Sequence, residues 1–582
     1  MPFLLLAFVA LVTWLPGRLM MRNLTVSVRR ELVDEDTAQP LGWALSYLLI
    51  ATIQLATTWI GTTPILTNSV LYVASVAILW LGARRRGAAP IPAGGPAAVG
   101  FALFVTYLLT LLLFLPSYQT AFSSDWRLYY PNTFAYLGQK PLSSYAAGVP
   151  LEYLAKRTPE MSLYGSFFVS LLGQSYDRFQ IACLLPNAWV FWVVYLFAMR
   201  LFGRRAAVSA LLILPLSPAI LRTATIPEPK FVGAFFVLLS AYYYLLARED
   251  TEPARSAHRG AVSGGLAVAA FMCHPSMFFY SLWVGADQIL LLWRRRKLLL
   301  RPFLLGAGAS ALFLAAPWYL WLLRSFGGRT AFTPTAALAQ PLPLSFGECV
   351  VTRLKMVVTT LAAPSYLVKK LLHDSPFPPD YSTAALAEHL RAWGNLVLRF
   401  YDQTFLGGMT VAVGLTLLLF GWSPPFPGSV RPGRAVVFAG LGLGAGACFF
   451  ALLSRVDNEG NATNMLSPLF LLVLCYAGCV LSRLPAWGAR LVLAAAVLEM
   501  IADRMLIFFI THDMDKRDLD YLYEWTRSRF AGPAILAPIL LAAILLLAYC
   551  WSVQRIASER SDSTVATPST GEAAPLGSLR AT

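Results

Sequence analysis

Charge is scarce in this 582-residue chain. Only 13% of its residues are Asp, Glu, Lys or Arg, against about 25% in soluble globular proteins. With 57% hydrophobic residues and a mean hydropathy of +0.61, most of its surface must face lipid rather than water. Cysteine is sparse too. Cys183, Cys273, Cys448, Cys475, Cys479 and Cys550 fall in or beside apolar segments and Cys349 stands alone in a polar stretch, which excludes a disulfide framework. Cys475 and Cys479 are one helical turn apart, but no His or further Cys is near them, so helix packing is expected rather than metal binding. Walker, Rossmann, zincin and kinase motifs are all missing. The run Gly440-Leu-Gly-Leu-Gly-Ala-Gly446 lies inside an apolar segment and is expected to serve close helix packing. No internal repeat is evident, which weighs against an inverted-repeat transporter. The first apolar segment lacks a basic start and a small-residue cleavage site, so it is expected to be retained rather than cleaved as a signal peptide.

What is present is a series of apolar segments, each of roughly the 17–20 residues needed to cross a bilayer as a helix. Roughly 14–15 such spans are expected, near 2–20, 41–60, 65–83, 97–116, 180–200, 206–221, 231–247, 261–273, 276–293, 303–323, 404–421, 435–453, 465–482, 490–511 and 532–551. The expected fold class is therefore all-α: a polytopic integral membrane protein with two long outer loops, since helices satisfy their own backbone in lipid. The net charge of +16 could suggest a nucleic-acid partner, but its distribution argues against one. Arg and Lys cluster in loops on alternate sides, at Arg84-Arg85-Arg86, Arg200/Arg204/Arg205, Arg248/Arg255/Arg259, Arg294-Arg295-Arg296-Lys297, Arg431/Arg434 and Arg483/Arg490. That pattern marks the cytoplasmic side. The opposite, outer side then carries 117–179, 222–230, the turn at His274, 324–403, 454–464 and 512–531.

Four parts are expected along the chain: an N-terminal segment of about three spans at 1–96, a main module at 97–482, C-terminal spans at 483–555, and a disordered cytoplasmic tail at 556–582. A Gly- and Pro-rich linker from Arg84 to Pro96 separates the first two. Loops of the size of 117–179 and 324–403 are commonly functional. Within the first, Met161–Leu172 reads as an amphipathic helix lying on the membrane surface. Within the second, 345–372 and 384–400 read as interfacial helices.

Two acids stand out. Asp125 lies just past the apolar segment Val99–Leu115 and opens the polar stretch Ser124-Asp-Trp-Arg-Leu-Tyr-Tyr-Pro131, with no helix start expected before Pro131. Its carboxylate can act as a general base or hold a cation. Arg127, Tyr129 and Tyr130 beside it add a phosphate-pairing cation and hydrogen-bonding aromatics. A helix cap or a solvated loop acid is the plain alternative. Glu228 stands between Pro227 and Pro229 in the break Arg222–Lys230. Pro229 suits the first turn of the next helix, where the dipole favours an ionised carboxylate. Arg222 and Lys230 are a candidate clamp for an anion, or a snorkelling interfacial cluster. His274, in Phe-Met-Cys-His-Pro-Ser, sits at a break midway through a long apolar stretch; it is a ligand or proton carrier facing the two acids, or a packing residue. Arg455, in the loop Ser454–Asn464, either meets a lipid phosphate or belongs to a solvated turn. Glu499, Asp503 and Arg504 interrupt a late span and are expected to be structural.

The order of these features resembles the GT-C superfamily of membrane glycosyltransferases, the class of protein mannosyltransferases, aminoarabinose transferases and arabinofuranosyltransferases. The resemblance rests on an acid just after a helix at the start of a long outer loop (Asp125) and a second acid in the next outer loop, two spans on (Glu228). An aromatic helix follows the second acid, Ile226 to Leu246, and a His-Pro break comes at His274-Pro275. It covers roughly 97–482. It implies a polyprenyl-phosphate sugar as donor and an envelope lipid, glycan or protein as acceptor, meeting on the outer face of the cell (inner) membrane. It further implies that Asp125 deprotonates the acceptor hydroxyl while Glu228 orients phosphate or acceptor. The donor phosphate would lie near Arg222, Lys230 or Arg455, and Trp126, Tyr129, Tyr130, Tyr136, Tyr145 and Tyr153 suit sugar stacking. Whether Asp125, Glu228 and His274 hold a divalent cation stays open at this level, as do two competing classes: a multi-span transporter or lipid flippase, and an envelope-assembly scaffold.

Overall fold

The computed structural model of the chain describes residues 2–24, 26–33, 36–61, 63–85, 95–114, 126–138, 158–293, 299–332, 345–361, 404–422, 432–451 and 466–511, with scattered positions between 382 and 401. These residues are helical, and no strand occurs among them. Helices α1 (Pro2–Asn23), α2 (Val26–Leu32), α3 (Ala38–Ile60), α4 (Pro64–Arg85) and α5 (Gly95–Phe114) come first. After them are α6 (Trp126–Tyr136), α7 (Glu160–Leu172), α8 (Tyr176–Ala188), α9 (Val190–Phe202), α10 (Arg204–Ile213) and α11 (Pro218–Thr225). The centre of the fold is α12 (Lys230–Glu249), followed by α13 (Pro253–Cys273), a 3-10 turn (Pro275–Ser281) and α14 (Leu282–Trp293). The remainder comprises α15 (Leu300–Ser310), α16 (Ala316–Phe332), α17 (Phe346–Leu361), α18 (Phe405–Gly408), α19 (Val411–Phe420), α20 (Pro432–Ala451), α21 (Ser467–Leu481) and α22 (Ala486–Thr511).

The chain is a multi-pass membrane protein. Among the described residues six helical stretches are long and apolar enough to cross a bilayer: Pro2–Asn23, Ala38–Ile60, Pro64–Arg85, Tyr176–Phe202, Lys230–Glu249 and Leu300–Gly328. A seventh is present if α10 and α11, bent by 64° at their junction, count as one span. Four shorter apolar helices accompany them. Roughly 14–15 spans were expected from hydropathy, and the difference has local causes. Pro215 and Pro218 break the segment expected at 206–221, because proline cannot donate to the helix ladder. Arg255, His258 and Arg259 occupy the first turns of α13 and shorten its apolar part. The segment expected at 532–551 lies outside the described residues.

α12 is buried along its whole membrane window, whereas only 6% of that of α4 is buried, as expected of a helix facing lipid. α12 and α13 form an antiparallel hairpin whose register is fixed by a reciprocal serine pair. Ser240 Oγ donates to Ser263 O at 2.7 Å, and Ser263 Oγ returns the bond to Ser240 O at 2.8 Å. Such hydroxyl bonds hold helices together where no water competes. Ten residues back from Ser240 is Lys230, and ten residues on from Ser263 is Cys273, so the start of α12 and the end of α13 are level. On the far side α13 crosses α15 so closely that a Cβ on Gly264 would lie 1.9 Å from Phe303 O, and one on Gly306 would lie 1.8 Å from Ala261 O. The glycines at 440 and 444 act as the sequence suggested: a Cβ there would strike the Trp283 ring at 2.5 Å and Tyr280 Cα at 2.8 Å.

At the opposite end of the hairpin the basic cluster is consumed in ion pairs. Arg248 forms a fork on the buried Asp287 carboxylate at 3.0 and 3.1 Å, and Tyr244 donates to the same group at 2.8 Å. Arg200 meets Glu249 at 2.6 Å, and Arg259 meets Asp250 at 2.9 Å. Glu499 is structural, as expected. Its two oxygens accept from the N–H groups of Val411 and Ala412 at 2.5 and 2.7 Å, capping α19.

Met161–Leu172 differs from expectation. It forms most of α7, but residues 160 to 169 are buried all round between α3, α4, α6 and α8, so α7 does not lie on the membrane surface. Two of its serines, Ser162 and Ser166, bond to α6. Gly264→Ala tests the α13–α15 crossing. The added methyl meets backbone, which cannot rotate away, so overpacking is expected to cost about 1–3 kcal/mol and to lower the thermal midpoint in detergent. A midpoint equal to wild type would show that the crossing is looser than described.

Candidate active site

The break between α11 and α12 is where a helical membrane protein has most difficulty, because its backbone groups leave the ladder while still surrounded by protein. Two side-chain amides from α8 meet this need. Gln180 Nε2 donates to Thr225 O at 2.9 Å, and Asn187 Nδ2 donates to Ile226 O at 2.9 Å, reaching Ala224 O and Thr223 O at 3.4 and 3.5 Å. Ser217 caps α11 by accepting from Ile220 N at 3.3 Å, and its hydroxyl donates to Gly408 O. Glu228 N turns back to Ile226 O at 2.7 Å. Ser467 Oγ donates to Lys230 O at 3.2 Å, fixing the first residue of α12 from α21.

Within this frame Glu228 Oε2 lies 3.1 Å from Lys230 Nζ, and both side chains are at most 2% exposed. Two opposite charges removed from water this completely need each other, and a charge-assisted bond is the strongest kind available to them. Lys230, expected as part of an anion clamp with Arg222, is thus also the direct partner of Glu228. Arg222 is half-buried one turn before the break, where its carbonyl accepts from Ile226 N at 3.1 Å.

His274 caps the 3-10 turn that follows α13. Its Nδ1 accepts from Ser276 N at 3.3 Å and lies 2.7 Å from Ser276 Oγ, which leaves Nε2 to carry the proton in the neutral ring. The hairpin register places this turn level with Lys230. The two also touch: a Cβ on Gly233, in the first turn of α12, would lie 2.9 Å from Met277 Cγ. The start of α7 joins the same end, through Thr158 Oγ1 donating to Cys273 O at 2.7 Å.

Asp125 and Arg455 lie outside the described residues, and so does the side chain of Arg127. Helix α6 opens at Trp126, five residues earlier than expected. Pro131 sits inside it, where the ring removes one N–H partner, that of Arg127 O. α6 runs parallel to α7. Ser162 Oγ donates to Tyr129 O at 3.4 Å and Ser166 Oγ to Thr133 O at 3.1 Å, both 33 residues apart in sequence, and Asn132 Nδ2 donates to Ser162 Oγ at 3.1 Å. The same offset sets Trp126 level with Pro159 and Arg127 level with Glu160. Tyr129 is buried, and Tyr130 packs edge-on against Phe134 and Tyr176 at 5.2 and 5.4 Å between ring centres. In this arrangement both rings are engaged in packing.

One residue at this end went unrecognised in the sequence. Glu160, the first residue of α7, is 2% exposed, and its Oε2 has no hydrogen-bond partner among the described residues. Burial pushes its carboxyl up to about 8, well beyond the opposing effect of a helix N-terminus, which is worth about 0.3–1 kcal/mol. Tyr47, Tyr136 and Cys273 are near enough to feel its charge. The available signal was a lone acid after Pro159 opening an apolar run. Among the described residues no three of His, Cys, Asp and Glu gather as metal ligands. Glu228 Oε2 faces the Lys230 ammonium and His274 Nδ1 faces Ser276, while Asp125, the third candidate ligand, lies outside the described residues.

Residues 156–321, which carry Glu160, Glu228, Lys230 and His274, match a glycosyltransferase family model. That model is the one described as dolichyl-phosphate-mannose-protein mannosyltransferase. Among solved structures the chain is similar to ArnT from Cupriavidus metallidurans bound to undecaprenyl phosphate, at 14% identity over 80% of this chain and 76% of that one, with a TM-score of 0.45. The apo form of the same protein gives 14% identity over 78% and 75%, with a TM-score of 0.42. The apo oligosaccharyltransferase of Archaeoglobus fulgidus gives 14% identity over 78% and 56%, with a TM-score of 0.34. No curated protein sequence matches the chain.

Glu160 sets a pH dependence with a definite sign. An ordinary glutamate releases its proton at 4.5, whereas the folded chain holds this one up to about 8. Between those values the folded state binds the extra proton, so stability falls as pH rises, by roughly 1.4 kcal/mol per pH unit from this group. Glu160→Gln, which cannot ionise, is expected to flatten thermal midpoint against pH from 5 to 8 and to exceed wild type at pH 8. Parallel profiles for the two proteins would exclude this assignment.

Proposed function

We propose that the chain transfers a sugar from a polyprenyl-phosphate donor to a hydroxyl of an envelope lipid, glycan or protein, on the outer face of the cell membrane. The observation that carries this reading is the buried Glu228–Lys230 pair, held rigidly in a break that falls inside the stretch 156–321 matched to a lipid-phosphate-sugar transferase family. The alternation of basic loops supports the orientation. An apolar polyprenyl tail suits a helical wall, with its phosphate at the bundle's end near Lys230, Arg222 or Arg455.

In this reading Asp125 is the general base. It takes the proton from the acceptor hydroxyl as that oxygen forms a bond to the anomeric carbon. The bond from that carbon to the phosphate oxygen breaks, and its electron pair leaves on polyprenyl phosphate, an anion stable enough to depart without added acid. Glu228 orients the acceptor or the phosphate, and Lys230, paired with it, presents an ammonium to the leaving group. Arg127 adds a second cation near the base. His274, with its proton on Nε2, is a hydrogen-bond donor at the same end.

The test is transfer of radiolabelled sugar from a panel of polyprenyl-phosphate donors, in membranes holding matched amounts of wild type, Asp125→Asn or Glu228→Gln. Loss of the general base is expected to cost about 10²–10⁴-fold in kcat, with donor binding retained. If no donor is turned over and both variants still complement a deletion strain, the catalytic reading fails and transport or assembly takes its place.

A further inference from the structure

α3 and α4 are apolar spans, yet each carries a carboxamide inside the helix: Gln54 in α3 and Asn68 in α4. Both are fully buried. A carboxamide within a span is costly unless every atom finds a partner, and these do. Asn68 Nδ2 donates to Gln54 Oε1 and to Ser170 Oγ of α7, each at 2.7 Å, while Asn68 Oδ1 accepts from Thr57 Oγ1 at 2.6 Å. Gln54 Nε2 donates to Tyr136 O, the last carbonyl of α6, at 3.1 Å, and the Thr58 hydroxyl lies 2.9 Å from the same oxygen and 2.8 Å from Gln54 O, with one proton to give to either. The network thus runs from α7 through both N-terminal spans to the end of α6. On its other side Tyr136 OH accepts from Trp318 Nε1 at 3.2 Å, and Trp59 Nε1 donates to Pro317 O at 3.1 Å.

We infer that this amide network makes the first spans a positioning device for the reaction: Gln54, Thr58 and Asn68 fix the axial position of α6, the helix whose first residue follows Asp125 in the chain. The inference rests on the transferase reading above. Alternatives at this location explain less. Lipid anchoring needs no carboxamide, and a network serving only α3–α4 pairing would not direct Gln54 Nε2 to a carbonyl of α6. α6 is only eleven residues long and carries a proline, so its own hydrogen bonds cannot hold it in place.

A shift of about 1 Å in a catalytic group costs on the order of 10²-fold. Gln54→Met and Asn68→Leu, which keep volume and remove the amides, are therefore expected to lower kcat per folded enzyme by roughly 10–10²-fold, with KM for the donor within about twofold of wild type. Thr58→Val removes one hydroxyl and serves if the amide variants fold poorly; Thr58→Ser, which restores the donor, is expected to recover kcat. Ser69→Ala is the control, because the Ser69 hydroxyl bonds within α4 to Ile65 O. Amide hydrogen exchange over 126–137 is read in parallel and is expected to quicken in Gln54→Met. Unchanged kcat per folded enzyme with a lower thermal midpoint would make the network merely structural and overturn the inference, as would a raised KM at unchanged kcat. A wild type that turns over no donor sinks the transferase reading instead. Exchange then decides the positioning claim, and unaltered protection of 126–137 would overturn it.

Discussion

Everything at the Glu228 end depends on one constraint: backbone polar groups that leave a helix inside a membrane protein must be satisfied by the protein itself. An unmet amide or carbonyl there costs roughly 2–7 kcal/mol, comparable to the whole stability of a small domain. The carbonyls from Thr223 to Ile226 lie in such a break, and the amides of Gln180 and Asn187 answer them. Without α8 pressed against α11 the chain between Pro218 and Lys230 would have no reason to hold one shape. The charged pair is a passenger of that solution. Glu228 and Lys230 are rigid because the carbonyls around them are held.

The two ends of the α12–α13 hairpin treat charge differently. At the Glu249 end several pairs share the load, and a fork such as Arg248 on Asp287 gains from two parallel bonds. Those interactions fasten α9, α12, α13 and α14 to one another. At the Glu228 end there is one fully buried pair and one buried acid, Glu160, with an oxygen unsatisfied among the described residues. An arrangement that only needed stability would replace both with apolar groups. Polar capacity held beside a buried ion pair is what a reacting centre requires, since its hydrogen bonds must be available to something else.

Much of this was legible in the residues. Hydropathy and the alternation of basic loops are long-period signals, and they gave the helical membrane class. Pro227 and Pro229 announced the break around Glu228 because proline acts locally, through its fixed φ and missing N–H. Gly440 and Gly444 announced close packing for the same kind of reason. What stayed hidden depends on partners distant in sequence. Met161–Leu172 read as an amphipathic surface helix, and only the presence of α6 beside it gives Ser162 and Ser166 buried partners. Trp126 began a helix that Pro131 seemed to forbid, because the cost of one lost bond is offset by contacts with α7. Lys230 read as a clamp for a ligand, and its pairing with Glu228 depends on how the first turn of α12 is oriented. Glu160 was passed over because apolarity begins one residue later, at Met161. Hydropathy also does not register where Pro215 and Pro218 bend a segment.

The α3–α4 carboxamides also bear on how the protein enters the bilayer. Synthesis proceeds from the N-terminus, so these two helices reach the hydrocarbon before residues 136 and 170 exist. Exposed alone, two amides would resist insertion. Yet Asn68 donates to Gln54 and accepts from Thr57, bonds made entirely within the pair, and α3 turns into α4 through Gly61, whose left-handed φ of 69° closes the first helix. The hairpin can therefore enter as a unit that already satisfies part of its own polarity. It keeps the Nε2 of Gln54 in reserve, a latch that closes only when α6 arrives.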